Sequence, residues 1–501
     1  MLTKNTKQPD NAGTRPVKLT SSVRWALAAL SLSMLMPSLD TSIANAGLPT
    51  LAIGLNASFQ ETQWVILAYL LSITTLIVSV GRLGDIVGRR RLLLFGITLF
   101  TAASLLCGVA STIWFLIIAR AVQGLGAAIM LSLTVAMVGE TVPKERTGNA
   151  MGLLGTMSAI GTTLGPSLGG ILIAWMGWSS IFLVNVPVGL LNLIMAYRFL
   201  PADIADVDSK QSARFDYKGT LVLGLTLAAY ALSMTIGHGH PGYVNVELLI
   251  LAGIGVGFFI FVETRAASPL VRLMMFHDGS LSSGLLMSTL VSTVMMATLV
   301  IGPFYLSRGL GLETTLVGIA LSAGPLVAAL AGVPAGRIVD RFGAGRMTIV
   351  GLAGIAFGLS VISLVPVGFG VMGYVVPIVF VTASYALFQA SNNTAIMTGA
   401  AAEQRGVVSG MLSLSRNLGL ISGASVMGAI FAATLAEPDI TFAQPDAIVK
   451  GLHLTYAAAA LLIVAAIAIA VARFAFATRA SAKTRKSATI PSSGRLVREN
   501  T

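Results

Sequence analysis

Apolar runs of about 20 residues recur along this 501-residue chain from Trp25 almost to Phe476. A helix of about 20 residues, rising 1.5 Å per residue, spans the hydrocarbon core of a bilayer. The runs lack the polarity alternation of barrel strands, so helices are the remaining structure that can cross lipid. The composition agrees, because only 10% of the residues are charged, against about 25% in soluble domains. The sequence predicts an all-α integral membrane protein.

About fourteen runs are long enough to be membrane-spanning helices. The predicted spans are 24–48, 62–82, 92–110, 112–138, 147–173, 178–199, 217–237, 246–263, 281–306, 314–334, 347–366, 370–395, 406–434 and 452–476. Of the 32 Lys and Arg residues, 28 fall on one side of this topology; Arg308 and Lys450 fall opposite, and Arg120 and Arg416 lie within spans. The positive-inside rule then predicts a multi-pass inner-membrane protein with both termini in the cytoplasm. The net charge of +12 thus reflects topology and not a nucleic-acid partner.

One sequence pattern occurs twice, after the second and the tenth predicted span. Residues 81–88 and 336–343 both read Gly-Arg-x-x-Asp-x-x-Gly. The copies are eight helices apart, whereas two six-helix halves would place them six apart, so two helices are inserted. The predicted domains are a tail (1–23), a six-helix bundle (24–199), a cytoplasmic loop with two inserted helices (200–280), a second six-helix bundle (281–476) and a basic cytoplasmic tail (477–501).

The first copy continues into an arginine cluster and resembles the signature loop of the major facilitator superfamily. Physically, its glycines permit a tight turn, and Asp85 can accept hydrogen bonds from a helix N-terminus or pair with Arg89. We predict a conformational latch there, the alternative being a loop that only sets topology. The latch residues are Gly81, Asp85, Gly88, Arg89, Arg90 and, in the second copy, Asp340.

The inserted helix pair resembles the fourteen-helix drug:proton antiporter subfamily, in which the fold is the major facilitator fold and the activity is multidrug efflux. Asp40 is an acidic residue well inside a span, where such residues are functional by default. Residues 39–49 around it resemble the first-helix signature of the same subfamily. The resemblance implies proton coupling at Asp40 in exchange for a cationic compound, and a structural hydrogen-bond acceptor is the alternative.

Arg120 and Gln123 belong to an Arg-x-x-Gln-Gly sequence that is similar to the fourth-helix motif of the superfamily. Arg120 lies about 13 Å from the outer end of its span, at a depth similar to that of Asp40. We therefore predict that Arg120 approaches Asp40 and tunes its proton affinity; bracing of helix carbonyls is the alternative. Glu140, at the inner end of the same span, is the candidate for a second coupling acid.

The fifth span carries five glycine and proline positions that favour close helix approach and bending. They are Gly161, Gly165, Pro166, Gly169 and Gly170. Their pattern is similar to the motif that distinguishes antiporters from importers in the superfamily, which implies export. Simple helix packing is compatible with the same residues.

Mixed aromatic and amide side chains suit promiscuous ligands. On this basis the predicted substrate cavity contains Asp40, Asn45, Gln123, Phe304, Tyr305, Phe388, Gln389 and Asn392. Ordinary packing is the alternative for each uncharged one. No role is assigned to Arg416.

No phosphate-binding Gly-x-x-x-x-Gly-Lys-Ser/Thr sequence occurs, so we predict no cofactor and a proton gradient as the energy source. No metal site and no enzyme activity are predicted. The expected partners are amphipathic small molecules, protons and membrane lipid, with a monomeric chain and the need for a periplasmic adaptor left open. The rival functions are export of a neutral or anionic metabolite, with Arg120 contacting it, and a non-transporting membrane sensor.

Overall fold

The computed structural model describes residues 20–143, 147–203, 216–236, 242–266, 275–276, 278–399, 405–435 and 444–488. Within these ranges every regular element is helical. The first bundle comprises α1 (Ser21–Gly54), α2 (Phe59–Val87), α3 (Arg89–Gly108), α4 (Ile113–Thr141), α5 (Thr147–Met176), α6 (Ser180–Leu183) and α7 (Asn185–Phe199). The inserted pair is α8 (Tyr217–Thr235) and α9 (Tyr243–Arg265).

The second bundle has the same number of long segments. It comprises α10 (Gly279–Phe304), α11 (Thr314–Phe342), α12 (Ala344–Leu364), α13 (Gly370–Gly399), α14 (Arg405–Ser422), α15 (Gly428–Ala432) and α16 (Pro445–Ala488). A π-helical turn over Tyr305–Gly309 extends α10, another over Gly423–Met427 joins α14 to α15, and a 3₁₀ turn over Val367–Phe369 precedes α13.

Each of the fourteen predicted spans coincides with helix, which confirms the all-α membrane fold. In the described part of the chain, twelve helices are long and apolar enough to cross a membrane. The two predicted spans outside these twelve coincide with α2 and with the α14–α15 segment. Fourteen crossings and the cytoplasmic location of the termini stay predictions.

Two predicted boundaries differ from the structure for local reasons. The sixth span is divided at Val184 into α6 and α7, because Pro187 has no N–H to donate to the carbonyl one turn earlier. The last helix continues to Ala488, so residues 477–488, predicted as part of a tail, are helical. The rest of that tail, and the first 19 residues, lie outside the described residues.

The two copies of the repeated pattern make the same turn. Gly88 links α2 to α3 with φ 104°, and Gly343 links α11 to α12 with φ 87°. Each donates its N–H to a carbonyl four residues earlier, Gly84 and Val339, at 2.8 Å. Positive φ at a helix end is the conformation that glycine adopts without strain. We name the side of the molecule that carries these two arginine-rich turns the basic side.

The bundles are separate near the basic side and joined on the opposite side. Near the basic side, one apolar cluster lies within the first bundle and a different one within the second, around Leu281 and Ile396. On the opposite side one continuous cluster includes Phe59 of α2 together with Phe304 and Phe431 of the second bundle. The molecule is therefore closed opposite the basic side.

The inserted pair packs on α2 through α8. Trp64 donates to Thr235 at 3.1 Å near one end, and the Ser79 and Thr220 hydroxyls are 2.9 Å apart near the other. The α9 helix lies outside α8, and its apolar side chains, such as Ile254 (63% exposed), are mostly uncovered. A helix that leaves apolar side chains uncovered suits contact with lipid.

Candidate functional site

Asp40 of α1 and Arg120 of α4 form an ion pair inside the first bundle. The Arg120 Nη1 atom lies 2.5 Å from Asp40 Oδ2, and each side chain is only 1% exposed. The structure thus brings Asp40 and Arg120 into contact, as their similar depth predicts. Removing either charge from a buried pair leaves the other uncompensated, at a cost of about 3–5 kcal/mol.

Two amide side chains complete the coordination of the Asp40 carboxylate. Gln123 Nε2 and Asn185 Nδ2 each donate to Asp40 Oδ1 at 2.8 Å. The Gln123 carbonyl accepts from Arg120 at 2.6 Å, and its amide also donates to the Ser104 hydroxyl at 2.8 Å. The network thus joins α1, α3, α4 and α7, and such fully satisfied polar networks specify one packing arrangement.

Arg120 is also held by the backbone and by aromatic rings. Its Nε donates to the Val65 carbonyl at 3.1 Å, and its guanidinium carbon lies 4.1 Å from the centre of the Tyr69 ring and 5.6 Å from that of Phe182. The arginine therefore braces a helix carbonyl and pairs with Asp40 at once, so both sequence interpretations describe real contacts.

This buried network does not line an open cavity. Asp40, Gln123 and Asn45 are 1%, 0% and 3% exposed, which differs from the predicted placement of all three in a substrate cavity. Within the described part of the chain, both polar atoms of the Asn45 amide are buried without a hydrogen-bond partner. Direct contact of a cationic compound with Asp40 is blocked in this conformation, because Arg120 already occupies the carboxylate.

An open cavity of about 180 Å³ lies in the second bundle, between α10, α13 and α14. Phe388, Gln389 and Asn392 line it, as the sequence predicted for these three residues. The other lining residues are Ser288, Ser292, Tyr385, Asn393, Met397, Leu412, Ser413 and Arg416. The cavity has aromatic faces, amides, hydroxyls and one cation, but no carboxylate among these residues.

Phe304 and Tyr305, the other two predicted cavity residues, instead belong to the closure opposite the basic side. The Phe304 ring packs edge-on to Phe59 with centroids 5.1 Å apart, and Tyr305 lies 5.7 Å from Tyr374. Phe304 and Tyr305 are 1% and 4% exposed. They are structural contacts in this conformation and not part of the described cavity.

The glycine motif of α5 contacts two different helices. A Cβ atom added at Gly161 would lie 2.7 Å from the Leu35 carbonyl of α1. One added at Gly165 would lie 2.4 Å from the Ser42 Cβ of the same helix. Gly169 also faces α1, with ordinary contact distances to Ile43. Close packing of helices at small residues is expected inside membranes.

The end of the same motif joins the two bundles. A Cβ added at Gly170 would lie 2.9 Å from the Thr314 carbonyl of α11, and one added at Gly318 would lie 2.3 Å from the Pro166 carbonyl. The motif therefore connects α1, beside Asp40, to the closure between the bundles.

A second inter-bundle contact lies at the π-helical turn over Gly423–Met427. Gln63 of α2 donates its amide to the Ala424 carbonyl at 2.7 Å. A π turn releases backbone carbonyls from the regular helical pattern, and a side chain from the other bundle uses one of them.

On the basic side, the first signature copy is held by residues from elsewhere in the chain. Arg89 pairs with Glu140 at 2.7 Å, and Arg90 donates to the Tyr197 carbonyl at 2.5 Å. Glu140 is 46% exposed at the end of α4, the position that the sequence predicts for it, and it belongs to this ionic cluster. Its role as a second coupling acid stays a prediction.

Asp203 is a functional candidate that the sequence analysis missed. Its carboxylate accepts from the backbone N–H groups of Arg90 and Arg91, at 2.8 and 3.3 Å, at the start of α3. It thereby caps the helix that follows Gly88. A lone acid four residues after a span has no distinguishing sequence pattern. Asn185 is another residue to which the sequence analysis assigns no role.

The remaining predicted latch residues behave differently. Gly81 has open space around its Cα, and the side chain of Asp85 lies outside the described residues. Asp340 of the second copy is exposed, and no hydrogen bond or ion pair is found for it among the described side chains. Among the described residues, latch contacts are thus found at the first copy only.

Comparison with known proteins identifies the family. A family model described as Major Facilitator Superfamily matches residues 30–424. The chain belongs to the Major Facilitator Superfamily. Multidrug resistance protein Stp of Mycobacterium tuberculosis is 30% identical over 435 residues, which cover 84% of this chain and 78% of Stp. Riboflavin transporter RibZ of Clostridioides difficile is 27% identical over 415 residues, which cover 82% of this chain and 89% of RibZ.

Solved structures agree on the fold. The crystal structure of a bacterial homolog of the human lysosomal transporter Spinster, inward-facing and unoccupied, aligns with a TM-score of 0.65 and 16% identity, over 90% of this chain and 97% of that one. The predicted resemblance to the Major Facilitator Superfamily and its multidrug transporters is confirmed. The chain is a Major Facilitator Superfamily transporter of small molecules.

Proposed function

We propose that this transporter exports small amphipathic compounds across the inner membrane in exchange for protons, by alternating access. The observation that carries the proposal is the buried Asp40–Arg120 pair, with its two amide donors, at membrane depth. Ionisable residues buried in membrane helices are expensive and mark proton or ion pathways.

Protonation of Asp40 removes the negative partner of Arg120. The guanidinium is then a buried charge with hydrogen bonds to the Val65 carbonyl and Gln123 but no counter-ion. Since loss of one partner costs about 3–5 kcal/mol, the protonated state favours a different packing of α1 against α4. Deprotonation restores the packing seen here.

A route from this pair to the closure runs through α5. Repacking of α1 changes its contact with Gly161 and Gly165, and the other end of α5 touches α11 at Gly170 and Gly318. An element with two packing arrangements, biased by a proton at one end, is the physical requirement for coupling. In this scheme α5 is that element.

The cargo is taken up from the basic side, which we assign to the cytoplasm from the 28 Lys and Arg residues predicted there. The cavity of the second bundle offers aromatic faces at Tyr385 and Phe388 beside the Gln389 amide, which suits amphipathic compounds. The relative Stp, named a multidrug resistance protein, supports a broad substrate range.

Proton exchange supplies a defined driving force. One proton exchanged for one monovalent cation is electroneutral, and a gradient of one pH unit then provides about 1.36 kcal/mol, or about tenfold accumulation. For a neutral compound, each 100 mV of membrane potential adds about 2.3 kcal/mol.

The test uses everted membrane vesicles and a dye pair with a shared xanthene ring system, cationic rhodamine 123 and anionic carboxyfluorescein. We expect the wild type to accumulate at least one dye about tenfold per pH unit. Asp40→Asn should abolish this accumulation but retain dye exchange between preloaded vesicles and medium without a gradient. Asp446→Asn, the same chemical change at an exposed residue of α16, is the matched control and should behave as wild type.

The two assays separate coupling from folding. Loss of both accumulation and exchange in Asp40→Asn would indicate a collapsed structure, and the charge-neutral double variant Asp40→Asn with Arg120→Gln then replaces it. Gradient-driven accumulation that persists in a folded variant without the Asp40 carboxylate would refute Asp40 as the coupling group.

A further inference from the structure

Arg416 is a cation deep in the second bundle. It lies eleven residues after Arg405, where α14 begins on the basic side, which corresponds to a depth of about 16 Å. A cation at this depth is costly in lipid and normally faces either a partner or a water-filled cavity.

Arg416 faces a cavity. Its side chain is exposed, it lines the space between α10, α13 and α14, and among the described residues no carboxylate lies within ion-pair distance of it. Arg120, in contrast, is neutralised by Asp40 and fully enclosed. The two charges of the buried pair cancel, so the uncompensated charge at the cavity is positive.

A second group in the same cavity has an unused acceptor. The Asn392 side chain is 1% exposed and donates its Nδ2 to the Gly284 carbonyl at 3.0 Å. In the described structure its Oδ1 is buried without a partner. A buried acceptor left unpaired carries a desolvation penalty, which a ligand N–H or O–H would remove.

The aromatic side chains beside these two groups define the shape of the ligand. Tyr385 and Phe388 line the cavity with Gln389, so a planar apolar body has ring faces to stack on. Arginine combines well with planar anions because its guanidinium offers parallel donors to a carboxylate or sulfonate.

We propose that this cavity selects aromatic organic anions, with Arg416 contacting the anionic group and Asn392 Oδ1 accepting a hydrogen bond from the ligand. The inference rests on the proposed function only in taking this cavity as the cargo site. It reverses the charge preference that the sequence suggested from Asp40, because Arg120 already pairs with that acid.

The test is equilibrium binding to the purified full-length protein in detergent, followed by fluorescence anisotropy of carboxyfluorescein and rhodamine 123. The wild type should bind the anionic dye at least about tenfold more tightly than the cationic one, the scale of one charge-assisted hydrogen bond. Arg416→Gln should weaken carboxyfluorescein binding about tenfold and leave rhodamine 123 within about twofold. Arg416→Lys keeps the charge but loses the parallel donors, so it should retain only part of the preference.

Two further variants identify which groups act. Arg346→Gln, which removes the same charge at an exposed position of α12 on the basic side, should leave both affinities unchanged. Asn392→Ala should weaken rhodamine 123 by a few-fold factor, since the amino groups of that dye are hydrogen-bond donors. Carboxyfluorescein, whose xanthene hydroxyl is largely ionised at neutral pH, should change less. The ratio of the two affinities within one variant is insensitive to the fraction of protein that is folded.

Each outcome decides one of the two claims. Any of four results overturns the inference. These are equal affinities for the two dyes, a preference for rhodamine 123, no binding of either dye, or an affinity ratio that Arg416→Gln leaves unaltered. Selective binding of the anion without gradient-driven uptake supports the inference and contradicts the proposed proton antiport. Gradient-driven uptake of rhodamine 123 without anion preference supports proton antiport alone.

Discussion

The turns at Gly88 and Gly343 share a sequence pattern and a backbone geometry but differ in their neighbours. At the first turn, Arg89 pairs with Glu140, and Asp203 caps the start of α3. At the second, Asp340 is exposed, and none of the described residues pairs with it.

The comparison shows that the repeated pattern encodes the turn at both places. Both glycines have positive φ, and both following helices start at the next residue. Among the described residues, Glu140 at the end of α4 and Asp203 after α7 supply ionic contacts from outside the pattern.

The largest expected difference between the two turns concerns their glycines. Gly88→Ala combines backbone strain with displacement of Asp203, whose Oδ2 would lie 2.5 Å from the new Cβ. We expect a loss of about 2–4 kcal/mol in the free energy of unfolding. Gly343→Ala meets no atom within 4 Å and should lose only the strain, about 1–3 kcal/mol.

Thermal unfolding measures this difference through the single cysteine. Cys107 is fully buried, so a thiol-reactive fluorophore reports its exposure as the protein unfolds in detergent. Equal melting temperatures for the two variants would show that the contact with Asp203 contributes nothing.

The second difference concerns the cap on α3. Asp203→Ala should cost about 1 kcal/mol, because two N–H groups at the helix start lose their acceptor. Asp203→Asn keeps a neutral acceptor, so its cost in the free energy of unfolding should be about half that of Asp203→Ala. Asp340→Ala, the matched change at the other turn, should stay within about 0.5 kcal/mol of wild type. The same thermal assay applies, and a destabilised Asp340→Ala would reveal a second latch.

The smallest effect is expected for Glu140→Gln. The Arg89–Glu140 pair is 34% and 46% exposed, so it should contribute about 0.2–1 kcal/mol at low salt and almost nothing at about 1 M salt. Asp340→Asn should show no salt-dependent difference from wild type. Transport by Glu140→Gln should keep its voltage dependence, and a changed charge stoichiometry would restore Glu140 as a second coupling acid.

The sequence predicts the helices well because their apolar runs report burial in lipid directly. It also predicts the meeting of Asp40 and Arg120, since residue counting along a helix gives depth, and a charge at that depth is costly unless it has a partner or faces a cavity. The same counting places Arg416 within a span, but it does not reveal whether a side chain faces a partner or a cavity.

Contacts that join distant segments are less predictable. Nothing near Glu140 in the sequence indicates that it pairs with Arg89, and nothing near Asp203 indicates that it caps the start of α3. Both contacts depend on how α4 and α7 pack. The sequence predicts Phe304 and Tyr305 in a cavity because aromatic residues suit ligands, yet the same residues suit the apolar closure equally well. Which role they have is decided by the tilt of one bundle relative to the other.

The seal around Phe59, Phe304 and Phe431 has a thermodynamic signature distinct from that of the ionic basic side. Opening it exposes apolar surface to water, which gives a positive heat capacity change. Breaking the Arg89–Glu140 pair gives only a small heat capacity change. Apolar association weakens on cooling. The balance between the two access states should therefore curve with temperature, and a cold membrane should hold a larger share of the molecules open away from the basic side.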